Sequence, residues 1–246
     1  MVHKEFRRLV DGAGTAVLFI HGIIGTPNHF HDFVRQLPAH VSVINLLLDG
    51  HGKGVKEFSN TSLAKWRAQV QAVVEELTRT HEQVFIVGHS MGTLLAIEQA
   101  IANRKVTRLF LMAVPLRLFV RPAMFLTSMK VYSGRVRPND AVASAAVHCC
   151  GIEHCRNPLR YVGWIPRYFD LFSLIRHTRK LLPSLSTACC AVQSGRDEMV
   201  SARAAEELRR CDGIRLTVLP NSGHYYYPDD DKDCLMRAFR DFIINE

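Results

Sequence analysis

Six short apolar runs, at positions 16–20, 41–48, 84–87, 109–114, 188–192 and 214–219, recur along the chain with stretches of helical periodicity between them. Few folds are open to such a chain, because strands that alternate with helices bury their apolar faces by forming a mostly parallel sheet wrapped on both sides. Four of the runs are apolar throughout, as strands covered on both faces are. The runs 41–48 and 214–219 are broken by Ser42 and Asn45 and by Arg215 and Thr217, and are expected nearer an edge. Leu63, Trp66, Val70, Val73 or Val74, and Leu77 recur at steps of three and four, with residues 60–62 available as caps, which predicts a helix. Thr26-Pro27 opens another. Further helices fit 94–102, 202–211 and 230–244; the last carries Leu235, Phe239, Phe242 and Ile243 on one face and Asp229, Asp230, Asp231 and Asp233 at its dipole-favoured start.

Composition narrows the class. With 246 residues, 48% of them hydrophobic and 22% charged, the chain suits one α/β core with an insertion and excludes disordered, collagenous and coiled-coil classes. No window approaches the ~20 consecutive apolar residues of a membrane-spanning helix. The first ten residues include His3, Lys4, Glu5, Arg7 and Arg8 and have no apolar signal region, so a cytoplasmic location is expected. Seven cysteines, an odd number with adjacent pairs at 149–150 and 189–190, read as reduced thiols. The net charge of +8 is local: residues 115–185 hold 11 Lys+Arg against 3 Asp+Glu, and the rest of the chain balances. That segment also has six prolines and no strand alternation. It reads as a cap inserted at 115–185 into a core formed by 1–114 and 186–246.

Gly88-His89-Ser90-Met91-Gly92 directly follows the apolar run 84–87 and opens a helical pattern, the context of a nucleophile elbow. A serine hydroxyl reacts at neutral pH only where a base reaches it from one side and substrate from the other, and a sharp turn between small residues exposes it in that way. The same chemistry needs an acid and then a base later in the chain. Asp197 follows the run 188–192 and His224 follows the run 214–219, both just beyond the ends of strands, where ligands of open α/β sheets bind. Glu198 competes with Asp197, but the next residue of an extended chain points the other way. The run ending at Val114 is followed by Pro115 and offers no acid. Oxyanion donors are expected at the backbone N–H of Ile23, in the loop His21-Gly22-Ile23-Ile24-Gly25-Thr26, and of Met91.

Through His21-Gly22, Asp49-Gly50-His51-Gly52, Gly88 to Gly92, Gly195-Arg196-Asp197 and Ser222-Gly223-His224, the chain resembles the α/β-hydrolase superfamily. More narrowly it resembles compact bacterial carboxylesterases and monoacylglycerol lipases, over residues 14–114 and 186–246. The resemblance implies an α/β-hydrolase fold, with a doubly wound parallel sheet flanked by helices and a cap, and a Ser90, Asp197, His224 triad. Asp49 stands where proline is more frequent in that family.

The expectation is a serine hydrolase of carboxylic esters, short to medium in acyl chain or monoacylglycerol-like, working through an acyl-enzyme without cofactor or metal. Thioesters, amides, peptides and carbon–carbon substrates use the same machinery, and a receptor that keeps the fold to hold a small ligand is the alternative from another class. The cap aromatics Phe119, Phe125, Tyr132, Tyr161, Trp164, Tyr168, Phe169 and Phe172 fit either an acyl pocket or the cap's own core. Ile24, Phe119, Phe125 and Trp164 are the expected substrate contacts. The basic cap suits a solvated surface or contact with an anionic lipid surface, and no nucleic-acid motif accompanies it. His148, Cys149, Cys150, His154 and Cys155 are soft ligands without the second spaced pair of a structural zinc site. His21 and His89 are expected to hold loop shape rather than transfer protons.

Overall fold

A computed structural model describes residues 3–119, 130–131, 136–137, 139–155 and 157–244. Phe125 and Tyr132 lie outside the described residues. The strands are β1 (Phe6–Arg8), β2 (Thr15–Ile20), β3 (Ser42–Leu46), β4 (Lys53–Gly54), β5 (Gln83–His89), β6 (Val106–Met112), β7 (Ile152–Glu153), β8 (Ala188–Ser194) and β9 (Ile214–Leu219). Seven of them form one sheet in the order β1-β3-β2-β5-β6-β8-β9. All of its pairings are parallel except the antiparallel β1 on β3. Alternation along each strand sends Ala16, Leu18 and Ile20 of β2 to one face and Val17 and Phe19 to the other, so two apolar cores form, one on each side.

The helices are α1 (His31–Gln36), α2 (Val55–Ser59), α3 (Leu63–Thr80), α4 (Met91–Ala102), α5 (Ala141–Cys149), α6 (Ile165–Leu181), α7 (Arg203–Arg209) and α8 (Asp229–Ile244). Helix α3 buries Leu63, Trp66, Val70, Val73, Val74 and Leu77, the stripe expected from its spacing, and Ser62 Oγ caps it by accepting the Lys65 N–H at 3.3 Å. Thr26-Pro27 opens a single 3-10 turn, Pro27–Phe30, that runs on into α1. Helix α8 closes the second core: Phe239 is fully buried, with its ring 5.0 Å from Phe33 and 5.4 Å from Phe110. Phe239→Ala is expected to lower unfolding stability by about 3–5 kcal/mol in a denaturant titration, because the surrounding rings cannot collapse into the gap.

Both broken runs lie towards the rims of the sheet, as expected: β9 is an edge strand, and β3 is next to the edge, with only the three-residue β1 outside it. The polar breaks in β3 are buried and satisfied: Ser42 Oγ accepts the Val10 N–H at 3.0 Å, and Asn45 Nδ2 donates to the Pro27 carbonyl at 2.9 Å. A buried polar side chain with its hydrogen bond made carries little penalty, so β3 tolerates both breaks inside the sheet.

Within 115–185, the described part is mainly helical. Strand β7 pairs with β4 as a small parallel ladder. Helix α6 packs on α4 and α3 and contributes Leu171, Leu174 and Ile175 to the same core as those helices. No helix of the described residues is long and apolar enough to cross a membrane.

Candidate active site

Ser90 stands between β5 and α4 at φ 52° and ψ −124°, a conformation that L-residues avoid and that costs on the order of 1–3 kcal/mol. The turn is held by the Ser90 N–H donating to the Met112 carbonyl at 2.9 Å and by the Thr93 hydroxyl donating to the Ser90 carbonyl at 2.6 Å. Glycine is required beside it. A Cβ at Gly92 would lie 2.0 Å from the Ile20 carbonyl oxygen, and one at Gly88 would lie 2.8 Å from Thr93 N.

Asp197 and His224 meet where the loops after β8 and β9 converge. Both are buried, and His224 Nδ1 lies 2.9 Å and 3.1 Å from the two carboxylate oxygens. Asp197 Oδ1 also accepts the Met199 and Val200 N–H groups, each at 2.8 Å. Burial pushes the Asp197 carboxyl up, but the His224 charge and these hydrogen bonds outweigh it, so it ionises below its usual range. A carboxylate accepting at Nδ1 fixes the proton there and leaves Nε2 with its lone pair. That Nε2 is buried and has no hydrogen-bond partner, Ser90 Oγ included. The neighbouring His89 brings the two segments together: its ring is 4.9 Å from that of His224, and its Nε2 donates to the His224 carbonyl at 3.0 Å. On its other side the Ser90 side chain faces Gly22, where a Cβ would lie 2.8 Å from Ser90 Cβ and 3.4 Å from its Oγ.

Glu198, the competing acid, does other work: its carboxylate accepts the His224 backbone N–H at 2.8 Å. Asp231, which the sequence suggested only as a helix-dipole residue, also holds this loop. Its Oδ2 accepts both the Asn221 N–H and the Ser222 hydroxyl at 2.8 Å. Neither partnership leaves a sequence signal, because both join residues brought together only by the fold.

Met91 opens α4, so its N–H belongs to the first turn, which lacks intrahelical acceptors. Gly22 to Gly25 forms a turn closed by the Gly25 N–H donating to the Gly22 carbonyl at 3.0 Å, with Ile23 and Ile24 as its central pair and Ile24 at φ 53°. Gly151 grips this turn from the segment between β6 and β8. The Gly151 N–H donates to the Ile24 carbonyl at 2.8 Å, and the Gly151 carbonyl accepts the Gly52 N–H at 2.7 Å. A Cβ at Gly151 would lie 2.1 Å from the Gly25 carbonyl oxygen.

The expected substrate contacts are spread out. Trp164 is buried, its ring 4.8 Å from those of Phe58 and Tyr161, and it walls a cavity of about 470 Å³ with Cys155, Pro158, Tyr161, Ile165 and Tyr168. Ile24 is half-buried against the main core. Phe119 lies beside the acid loop, its N–H donating to the Met199 carbonyl at 2.8 Å, with 62% of the residue exposed. A larger cavity of about 630 Å³ touches Thr15 and Gln83, the first residues of β2 and β5, and so lies at the end of the sheet opposite Ser90.

Buried and half-buried histidines surround the site. His21 Nε2 accepts the Leu48 N–H at 3.1 Å, so its Nδ1 carries the proton that goes to the Gly22 carbonyl at 2.9 Å. His51 Nδ1 donates to the Leu48 and Asp49 carbonyls, and the ring of His29 stacks 4.0 Å from that of His89. Asp49 earns its place in the loop by accepting the Thr61 hydroxyl at 2.7 Å. Burial lowers all four imidazoles, His29 to about 3, His51 to about 4, and His21 and His89 well below the usual value; neighbouring histidine charges push His21, His29 and His89 the same way. Their folded-state values lie below the unfolded value of about 6.5, so the unfolded chain binds more protons between that pH and about 4. Stability is therefore fully present above pH about 6.5 and falls as the pH drops, by up to about 1.4 kcal/mol per pH unit for each such group. Urea unfolding at pH 7 and pH 5 measures this; equal stability at both would refute it.

The sequence profile of the Alpha/beta hydrolase family matches residues 17–235, and the chain belongs to that family. Comparison with curated proteins gave no match. Among solved structures the chain is similar to a metagenome-derived lipolytic enzyme of the LipS and LipT pair, with 20% identity, TM-score 0.73, and 99% of this chain and 98% of that one covered. It is also similar to the monoacylglycerol lipase of Paleococcus ferrophilus, with 15% identity, TM-score 0.71, and 100% and 99% covered. A structure from work on carboxylesterases of the thaumarchaeon Nitrososphaera gargenis gives 16% identity, TM-score 0.68, and 95% and 93% covered.

Proposed function

We propose that the protein is a serine hydrolase of carboxylic esters of short to medium acyl chain or monoacylglycerol type. The observation that carries this reading is the buried Asp197–His224 pair with its unpartnered Nε2, tied through the His89 hydrogen bond to the strained turn that holds Ser90. In this mechanism Ser90 Oγ turns to Nε2, gives up its proton to it and attacks the ester carbonyl. The Ile23 and Met91 N–H groups receive the oxyanion, and His224 returns the proton to the leaving alkoxide. Water, deprotonated by His224, then releases the acid and restores Ser90. Asp197 holds the imidazole throughout. No step calls on a cofactor.

The lipolytic and esterase neighbours support ester hydrolysis, and the apolar wall of Trp164 and Tyr161 suits an acyl or alcohol group. We assign residues 115–185 as the cap over this site. The seven unpaired thiols support a reducing compartment, and we place the protein in the cytoplasm.

The test is kcat/KM over p-nitrophenyl esters from acetate to palmitate, together with labelling by a fluorophosphonate. An optimum at one chain length, with turnover and labelling both lost in Ser90→Ala, is expected. A folded protein that neither turns over nor labels would refute the reading and favour a small-ligand receptor.

A further inference from the structure

Helix α6 is apolar on two opposite faces. Leu171, Leu174 and Ile175 form the inner face, against α4 and α3. Ile165, Phe169 and Phe172, at steps of four and three, form an outer one and are 52%, 68% and 49% exposed. The preceding 3-10 segment, Pro158–Trp164, extends it with Leu159 and Val162, which eclipse at a spacing of three and are also exposed. Arg176 and Lys180 continue the line, each four residues on, and both are exposed. At 3.6 residues per turn, Ile165, Phe169, Phe172, Arg176 and Lys180 fall within about 80° of one another.

Nearby acids do not neutralise this face. Asp170 is paired with Arg167, and Glu207 with Arg117 and Arg179. Arg176 and Lys180 form no ion pair among the described residues. The whole charge excess of the protein lies in the segment that contains this helix.

We propose that the outer face of 159–180 docks on an anionic lipid surface, with Leu159, Val162, Ile165, Phe169 and Phe172 entering the headgroup boundary and Arg176 and Lys180 meeting lipid phosphates. A line of large exposed apolar side chains continued by unpaired cations is the pattern that such interfaces bind, through buried apolar area and charge together. Ile165 belongs both to this face and to the wall of the 470 Å³ cavity, so docking sets that cavity's mouth at the lipid surface. The inference does not depend on ester hydrolysis, because it is read by binding.

The experiment is cosedimentation of the full chain with vesicles of phosphatidylcholine and phosphatidylglycerol, and with vesicles of phosphatidylcholine alone. Binding to the anionic vesicles is expected to be about tenfold or more stronger and to weaken with salt. The double variant Phe169→Ser, Phe172→Ser should bind about tenfold or more weakly to anionic vesicles. Arg176→Glu with Lys180→Glu should remove the preference for anionic vesicles. Both should keep the circular dichroism of the parent protein and the Ser90 reactivity towards fluorophosphonate. No vesicle binding by the parent chain, or equal binding by the variants, overturns the proposal. So does a concentration-dependent dimer of the parent chain that Phe169→Ser, Phe172→Ser dissociates, because a second copy would then be the occupant.

Discussion

Asp197→Asn is expected to lower kcat for ester hydrolysis by about ten-thousand-fold while leaving the fold intact. The carboxylate accepts at His224 Nδ1 in the buried site. An amide there can donate to Nδ1 instead, which moves the ring proton to Nε2 and removes the lone pair that must take the serine proton. Glu198→Gln is the matched control, since an amide oxygen can still accept the His224 backbone N–H. It should leave kcat within a factor of a few. Steady-state rates of the two purified variants decide the matter: comparable losses, or a larger loss at Glu198, would show that the acid has been misassigned.

The second large effect is at Gly92. Gly92→Ala places a methyl group where the Ile20 carbonyl oxygen is only 2.0 Å and the His21 carbonyl oxygen 2.8 Å away, and these contacts are all backbone, so no side chain can move aside. Strand β2 and helix α4 must separate, which reopens the core shared by Ile20, Leu94 and Leu95. A loss of several kcal/mol, comparable with other overpacked or cavity-forming core changes, is expected. The expected readout is a sharply lower thermal midpoint together with lost fluorophosphonate labelling. A variant with parental melting and labelling would refute the steric account.

The parts of this molecule that could be read from sequence are those whose signals are local. Gly88 to Gly92 was legible because an apolar strand ends and a helical pattern begins on either side of the motif, and α3 because its stripe has one face. Helix α6 was not legible as a helix for the opposite reason. Its inner and outer apolar faces stand on opposite sides, so the periodicity that marks an amphipathic helix cancels. Strand β1 is three residues, Phe-Arg-Arg, too short for alternation to show. The partners of the catalytic loops were hidden because they are distant in sequence. Asp231 reaches back to Ser222, and Gly151 to Ile24, and neither pairing changes the local pattern around it.

The grip of Gly151 on the Ile24 turn also bears on how such enzymes can be recombined. Residues 115–185, which we assign as the cap, look like a cassette between two halves of a core, yet the stretch around 151–153 fills a notch that admits no side chain at 151. A chimera that imports a foreign segment without glycine at that point would push on the Gly22–Gly25 turn, whose Ile23 amide we propose as an oxyanion donor. Exchange of this segment is thus constrained at Gly151 and again at Gly163, where a Cβ would lie 2.6 Å from Ser59 Oγ, and a replacement that keeps glycine at both points and the apolar residues Leu171, Leu174 and Ile175 should preserve the fold.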